Sequence, residues 1–324
     1  MRAIVLETHG GPEALTLGAV PDPVPGPEEV LVAVTGAALN RADLLQRMGL
    51  YPGPTGEHEI PGMEYAGRVA ALGERVTAWS EGDEVMGIVG GGAYAELVCA
   101  HERQVLPVPP ELGLADAAAV PEAFLTAYDA LVVQGGLTSG RTALVHAGAS
   151  GVGTAAIQLA RSIGARIVVT ASTGKVEACR ALGADLVVDY TREDFVEAVE
   201  AFTGGDGVDV VLDVIGGDYV DRNLRCARVT GRVIQVGLMG SGVAEVSVGL
   251  LLQKRLQLIG TLLRPRPLEE KIAATQRFRA EVLPRFTDRS LRPVIDSRYA
   301  LADVAEAHRR MEANENVGKL LLDV

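Results

Sequence analysis

Near the middle of the chain the apolar run TALVHAG passes directly into ASGVG and then into the helix-patterned TAAIQLARSIG. No other string restricts the fold as much. A strand that breaks at glycines and continues at once as a helix opens a βαβ unit, because the chain must turn back within a few residues and lay the helix on the sheet. The spacing Gly148-x-x-Gly151-x-Gly153 departs from the usual G-x-G-x-x-G fingerprint while keeping its strand-loop-helix context. Backbone without Cβ lets a pyrophosphate come close, and the free N–H groups at the positive end of the helix stabilise it. A tight turn whose glycines serve packing alone is the competing reading. A glycine triplet in isolation would not separate the two, but its place between this strand and this helix favours dinucleotide binding.

The alternation continues on both sides of that loop. PEAFLTAYDALVVQ has helical spacing, and strands are predicted at residues 143–146, 166–170, 186–189, 208–214, 233–236 and 256–263. Six strands alternating with helices make two βαβαβ halves, an α/β Rossmann architecture with a parallel sheet buried on both faces. Upstream, from Met1 to about Pro121, short strands separated by Gly and Pro predict a β-rich domain, interrupted by one helix over residues 41–48. After Arg264 the pattern predicts one long helix, LEEKIAATQRFRAEVLPRF, then a strand, a short helix through ADVAEAHRRMEAN and a final strand GKLLLDV. That tail is too short to fold alone and is expected to return to the β-rich domain. The chain of 324 residues is thus divided into residues 1–121 with 264–324, and residues 122–263.

Charge and cysteine content narrow the partners. Thirty Lys and Arg against 42 Asp and Glu give a net charge of -12, which repels nucleic-acid phosphates and anionic lipid, so neither is an expected partner. Three well-separated cysteines make neither a disulfide framework nor a four-thiolate zinc site and fit a reducing, cytoplasmic setting. No apolar run reaches roughly 18 residues, so a soluble protein is expected.

The chemistry is read partly from what is missing. About 20 residues past the glycine loop, where a carboxylate would hold the ribose hydroxyl of NAD, the sequence VVTASTGKVEA offers Ser172 and Lys175 and no acid before Glu177. A hydroxyl and an ammonium suit a 2′-phosphate, and the expected cofactor is NADPH. The chain has only 4 Lys beside 26 Arg, so a lysine here is not a casual choice. The five histidines and three cysteines show no paired metal-ligand spacing, and no metal site is expected. His146, within the strand before the loop, reads as a satisfied core residue. There is no Tyr-x-x-x-Lys pair and no nucleophile elbow around Ser150. Such a site must work mainly by positioning two reactants.

The strings ALNRADLLQRMGLYP, IPGMEYAG, AAAVPEAFLTAYDAL, HAGASGVGTAAIQLAR, DVIGG, GLMG and RRMEANENVGKLLLDV follow one another in the order found in zinc-independent quinone oxidoreductases. Over essentially its whole length the chain resembles this zeta-crystallin-like group of the medium-chain dehydrogenase/reductase superfamily, most closely its p53-inducible quinone oxidoreductase subgroup. The resemblance implies a GroES-like β-rich catalytic domain beside the Rossmann domain, with the ligand cleft between them. Zinc-dependent relatives carry a cysteine near Asn40 and a histidine where this chain reads Gly62-Met63-Glu64. By resemblance, Asn40 and Tyr51 serve the nicotinamide and quinone pocket and Thr126 flanks the nicotinamide. Ser150 and Val152 join the three glycines of the loop, and Ser172, Lys175 and Tyr190 hold the 2′-phosphate end. Gly237, Leu262 and Lys319 close over the cofactor. Some relatives have a tyrosine where Gln46 stands, which leaves Tyr51 as the main candidate donor.

Plainer roles compete. Asn40 could cap the following helix, Tyr51 could anchor a turn, Lys319 could be a solvated strand charge, and Arg264 and Arg266 of RPRP could sit in an open loop. The function implied is NADPH-dependent transfer of hydride, or single electrons, to a quinone or conjugated carbonyl. An enoyl-thioester or enal reductase and a non-catalytic NADPH sensor are the alternatives. A homodimer pairing through residues 256–263 is also expected, since an unpaired apolar edge is an aggregation hazard.

Overall fold

Strands form where β-branched and apolar residues run together between glycines and prolines, and the computed structural model, which describes every residue except Thr55, shows fifteen of them. Before the glycine loop come β1 (Arg2–Leu6), β2 (Leu15–Ala19), β3 (Glu29–Ala38), β4 (Glu64–Leu72), β5 (Glu84–Ile88), β6 (Leu97–His101) and β7 (Val105–Pro107), with helices α1 (Arg41–Arg47) and α2 (Pro121–Tyr128). Then β8 (Thr142–Val145), β9 (Arg166–Ala171), β10 (Leu186–Asp189), β11 (Val208–Asp213), β12 (Ala227–Gln235) and β13 (Gln257–Gly260) alternate with α3 (Gly151–Ser162), α4 (Val176–Leu182), α5 (Phe195–Thr203), α6 (Tyr219–Cys226) and α7 (Val248–Lys254). The chain ends with α8 (Leu268–Glu281), α9 (Pro284–Thr287), β14 (Ile295–Ala300), α10 (Val304–Glu312) and β15 (Lys319–Asp323). Two compact units result, Met1–Glu122 with Arg266–Val324, and Ala123–Pro265.

The first unit is the β-rich, GroES-like one. Its seven-stranded sheet runs β14-β15-β3-β4-β5-β7, with β6 also on β3, and β1 and β2 form a separate antiparallel pair. The long strand β3 alternates buried and half-buried positions, which turns Val30, Val32 and Val34 into a core shared with Ile4, Tyr65, Val85 and Leu320. The final strand β15 lies between β14 and β3.

In the second unit the parallel order β10-β9-β8-β11-β12-β13 is the doubly wound arrangement in which the strand leading into the glycine loop is central. The central strand β8 is buried at every position, as a strand covered on both faces requires, and Leu144, Val168, Val188, Val211 and Val233 make the core with Phe195 and Leu224. His146 is a satisfied core residue: its ring contacts Thr170 Oγ1 at 3.0 Å and Asn223 Oδ1 at 2.7 Å, while Asn223 Nδ2 donates to Asp213 at 2.9 Å. Burial holds the imidazole below its ordinary pKa, so it stays neutral.

Three sequence expectations need correction. The long helix after Arg264 is two, because Pro284 has no N–H to donate and its ring would clash one turn back, so it opens α9 instead. The strand expected at 233–236 begins at Ala227, since pairing with β11 resumes past a bulge; the register steps from Val208↔Ala227 to Val210↔Arg232. The last parallel strand covers only Gln257–Gly260. Among the described residues no helix is long and apolar enough to cross a membrane.

Candidate active site

The glycine loop reverses the chain between β8 and α3 by steric exclusion. A Cβ on Gly153 would lie 2.4 Å from the Ala147 carbonyl oxygen, and one on Gly148 would lie 2.6 Å from Val169 Cβ. Both glycines are therefore required for packing, and Ala147 takes a left-handed φ of 56° to complete the turn. Ser150 caps α3, its Oγ accepting from the Gly153 N–H at 3.0 Å. The N–H groups of Gly151 and Val152 occupy the first two helical positions, where no intrahelical acceptor exists, and both residues are partly exposed. A cradle with no room for side chains and two open donors at the positive end of a 12-residue helix fits a pyrophosphate.

The other predicted cofactor residues of this unit fall largely on the same edge, after the carboxyl ends of the strands. Ser172 and Lys175 follow β9, Tyr190 follows β10, Gly237 follows β12 and Leu262 follows β13. Thr126 lies apart from them in the sequence, on α2. The turn carrying Ser172 and Lys175 is clasped by Asp189, whose carboxylate accepts from Thr173 Oγ1 at 2.6 Å and Thr191 Oγ1 at 2.7 Å. Those hydroxyls hold Asp189 below the usual carboxylate range. Asp189 has no place in the sequence-based list, although an acid ending a predicted parallel strand was a readable signal.

The first unit holds a second polar cluster, built around Asn40 at the start of α1. Lys319, 4% exposed on β15, is not a solvated charge. Its Nζ donates to the Leu39 carbonyl at 2.6 Å and Asn40 Oδ1 at 2.7 Å, and pairs with Glu64 Oε1 at 2.6 Å. Those three contacts use every N–H of the ammonium. Asn40 Nδ2 donates to Glu64 Oε1 at 2.9 Å, and Glu64 Oε2 accepts from the Glu122 N–H at 2.8 Å. Asp43, in the third position of α1, accepts from the Asn40 N–H at 2.7 Å, as a capping-box acid does, and from Tyr94 Oη at 3.0 Å. Burial pushes the Asp43 carboxyl up to about 6 against the pull of those donors and Lys319. Tyr94 is pushed well above its ordinary value, by burial first and then by Asp43.

Asn40 is the partly exposed member of this cluster, and Tyr51 lies beyond the other end of α1, roughly 10 Å along the helix axis. The Tyr51 N–H donates back to the Leu45 carbonyl at 3.2 Å. Gln46 is buried with its amide on Glu59 at 3.0 Å. Asp43 and Tyr94 were not foreseen as site residues, and Glu64 entered only through the string that lacks a histidine. Among the described residues no group of three or more His, Cys, Asp or Glu side chains is placed to hold a metal ion.

Comparison with known proteins agrees with both halves of this description. The Alcohol dehydrogenase GroES-like domain family matches residues 26–110, and the Zinc-binding dehydrogenase family matches residues 151–278. Among the described residues the donor set that zinc needs is not found, although the second family is named for that metal. A "Quinone oxidoreductase-like protein 2 homolog" of Nematostella vectensis is 30% identical over 92% of this chain and 82% of its own length. A stretch of "Pikromycin polyketide synthase component PikAII" of Streptomyces venezuelae is 40% identical over 71% of this chain and 6% of that protein. The crystal structure of Escherichia coli quinone oxidoreductase complexed with NADPH superposes with a TM-score of 0.90 at 28% identity, covering 100% of both chains.

Proposed function

The chain belongs to the medium-chain dehydrogenase/reductase superfamily, and from that membership we propose that it reduces quinones, or similarly conjugated carbonyl compounds, with NADPH. One observation carries the reading. Where a metal would polarise an oxygen, this chain has a hydrogen-bonded Asn40–Glu64–Lys319 cluster, which suits an acceptor that takes electrons without a Lewis acid. Bound NADPH would supply the hydride.

Gly148, Ser150, Gly151, Val152 and Gly153 would hold the pyrophosphate, and Ser172, Lys175 and Tyr190 the 2′-phosphate. Gly237, Leu262 and Thr126 would border the nicotinamide half. Lys319 can only donate, so Asn40 Oδ1 must face it and Nδ2 must face Glu64, which fixes the amide. The second Nδ2 hydrogen, resting on the Ala38 carbonyl at a long 3.4 Å, is left for an acceptor oxygen. Lys319 acts on a ligand through Asn40 and not by a bond of its own. Tyr51 or water would deliver the proton.

The test is NADPH oxidation with a panel of ortho- and para-quinones and enals. Turnover of quinones is expected, with NADPH preferred over NADH, and Lys175→Ala should raise KM for NADPH by about tenfold while sparing NADH. NADPH binding without turnover of any acceptor would sink the enzyme reading, and an unchanged cofactor ratio in Lys175→Ala would sink the 2′-phosphate assignment. The similarity to a polyketide synthase segment favours a second reading, reduction of an enoyl thioester, which turnover of enoyl substrates in preference to quinones would establish. We further propose a homodimer paired along the outer edge of β13, where Leu258 and Leu262 are exposed.

A further inference from the structure

We propose that the second unit carries an additional anion site for a small ligand bearing two or more phosphate groups, at the amino ends of its parallel strands. There a pocket of about 420 Å³ is lined by Arg141, Arg228, Arg232 and Arg255, together with Asp209 and Thr230. Arg141 precedes β8, Asp209 is the second residue of β11, Arg228 lies at the start of β12, Arg232 pairs with Gln257 at the start of β13, and Arg255 precedes β13. The glycine loop and its companions follow the carboxyl ends, so the two sites occupy opposite edges of one sheet. Ligands of open parallel sheets bind at the carboxyl edge, and the fold itself gives no reason for cations at the other one.

Three features make this a built site. The first is charge: four guanidinium groups face one carboxylate around a single pocket, in a chain whose net charge is -12. The surplus calls for more than one negative charge on the ligand, and the volume lies within the range of small-molecule sites.

The second is preorganisation. Arg232 Nη1 donates to the Gln134 carbonyl at 2.7 Å, Arg141 Nη1 to the Gly136 carbonyl at 3.1 Å, and Arg228 Nη1 pairs with Asp209 at 3.1 Å. Each guanidinium is anchored by one arm and keeps most of its five donors. Two of them converge on Gly136, where an added Cβ would lie 3.2 Å from Arg232 Nη1 and 4.0 Å from Arg141 Nη1. Arg255 is exposed and has no acceptor among the described residues. Planar forks of this kind match phosphate oxygens in pairs.

The third is backbone strain. Thr230 at φ 66° and Arg255 at φ 51° are left-handed without being glycine, and the remaining such residue of this unit, Ala147, stands in the glycine loop. For β-branched Thr230 that conformation is costly and persists only where the surroundings impose it. It sits in the bulge of β12, where residues 228–231 loop out opposite Asp209 and turn Arg228 into the pocket.

The experiment is titration calorimetry of inorganic pyrophosphate into the full-length protein at low ionic strength, with and without saturating NADPH. Binding is expected in both conditions. Arg255→Glu, an exposed position that folding should tolerate, is expected to weaken it by at least about tenfold, and Arg141→Glu should do the same. Lys175→Ala should leave it unchanged. Binding that NADPH or Lys175→Ala abolishes would assign the anion to the cofactor cradle and overturn the proposal. So would binding indifferent to both arginine variants, or none at millimolar pyrophosphate. The inference does not depend on the quinone reading: a protein that turns over no acceptor would still bind pyrophosphate through Arg255.

Discussion

Lys319 holds a charge where a charge alone could not stay, because the Glu64 carboxylate and two neutral oxygens meet all three of its hydrogens. Removing one member of a buried pair costs more than the pair itself contributes, since the other is left uncompensated. Lys319→Met is expected to destabilise the first unit by about 3–5 kcal/mol, and adding Glu64→Gln should restore part of that loss. Chemical denaturation of both proteins checks this; a single variant as stable as the parent would show the pair to be dispensable. The pairing was not legible in the sequence. Lys319 and Asn40 are 279 residues apart, and periodicity reports which face of a strand is buried, not which distant acceptors wait there. Asn40 is proposed as a site residue on the resemblance, and Ser172 and Lys175 on the missing carboxylate. Asp189 was passed over because its hydroxyl partners are brought to it by the adjoining turn.

At the scale of elements, the strand-loop-helix around Gly148 to Gly153 announced itself because sterics leave few residue types for each position. Its glycines pack against Ala147 and Val169, and the same packing clears the space that a phosphate would need. Gly153→Ala must push a Cβ against backbone, which cannot move aside as a side chain would. A loss of about 1–3 kcal/mol in stability and at least about tenfold weaker NADPH binding are expected. Thermal unfolding and a fluorescence titration read the two effects, and unchanged affinity would detach the loop from the cofactor. Elements bounded by tertiary pairing were read less well. The start of β12 depends on where β11 lies across a bulge, and no local pattern carries that information.

At the scale of the whole molecule, one edge of the parallel sheet is left open at β13, with Leu258 44% exposed beside Leu262 and, on α7, Leu252. Two copies pairing there would cover it. Leu258→Lys is expected to convert a dimer into a monomer in sedimentation experiments without loss of secondary structure; a parent protein that sediments as a monomer would remove this contact. The interleaving of the units also sets an order of events. The parallel unit is contiguous, so all of its strands have left the ribosome while the end of the β-rich unit is still being made. The β-rich sheet lacks β15, the strand between β14 and β3, until Lys319–Asp323 emerge. Until then Glu64 and Asn40 have no ammonium to close on.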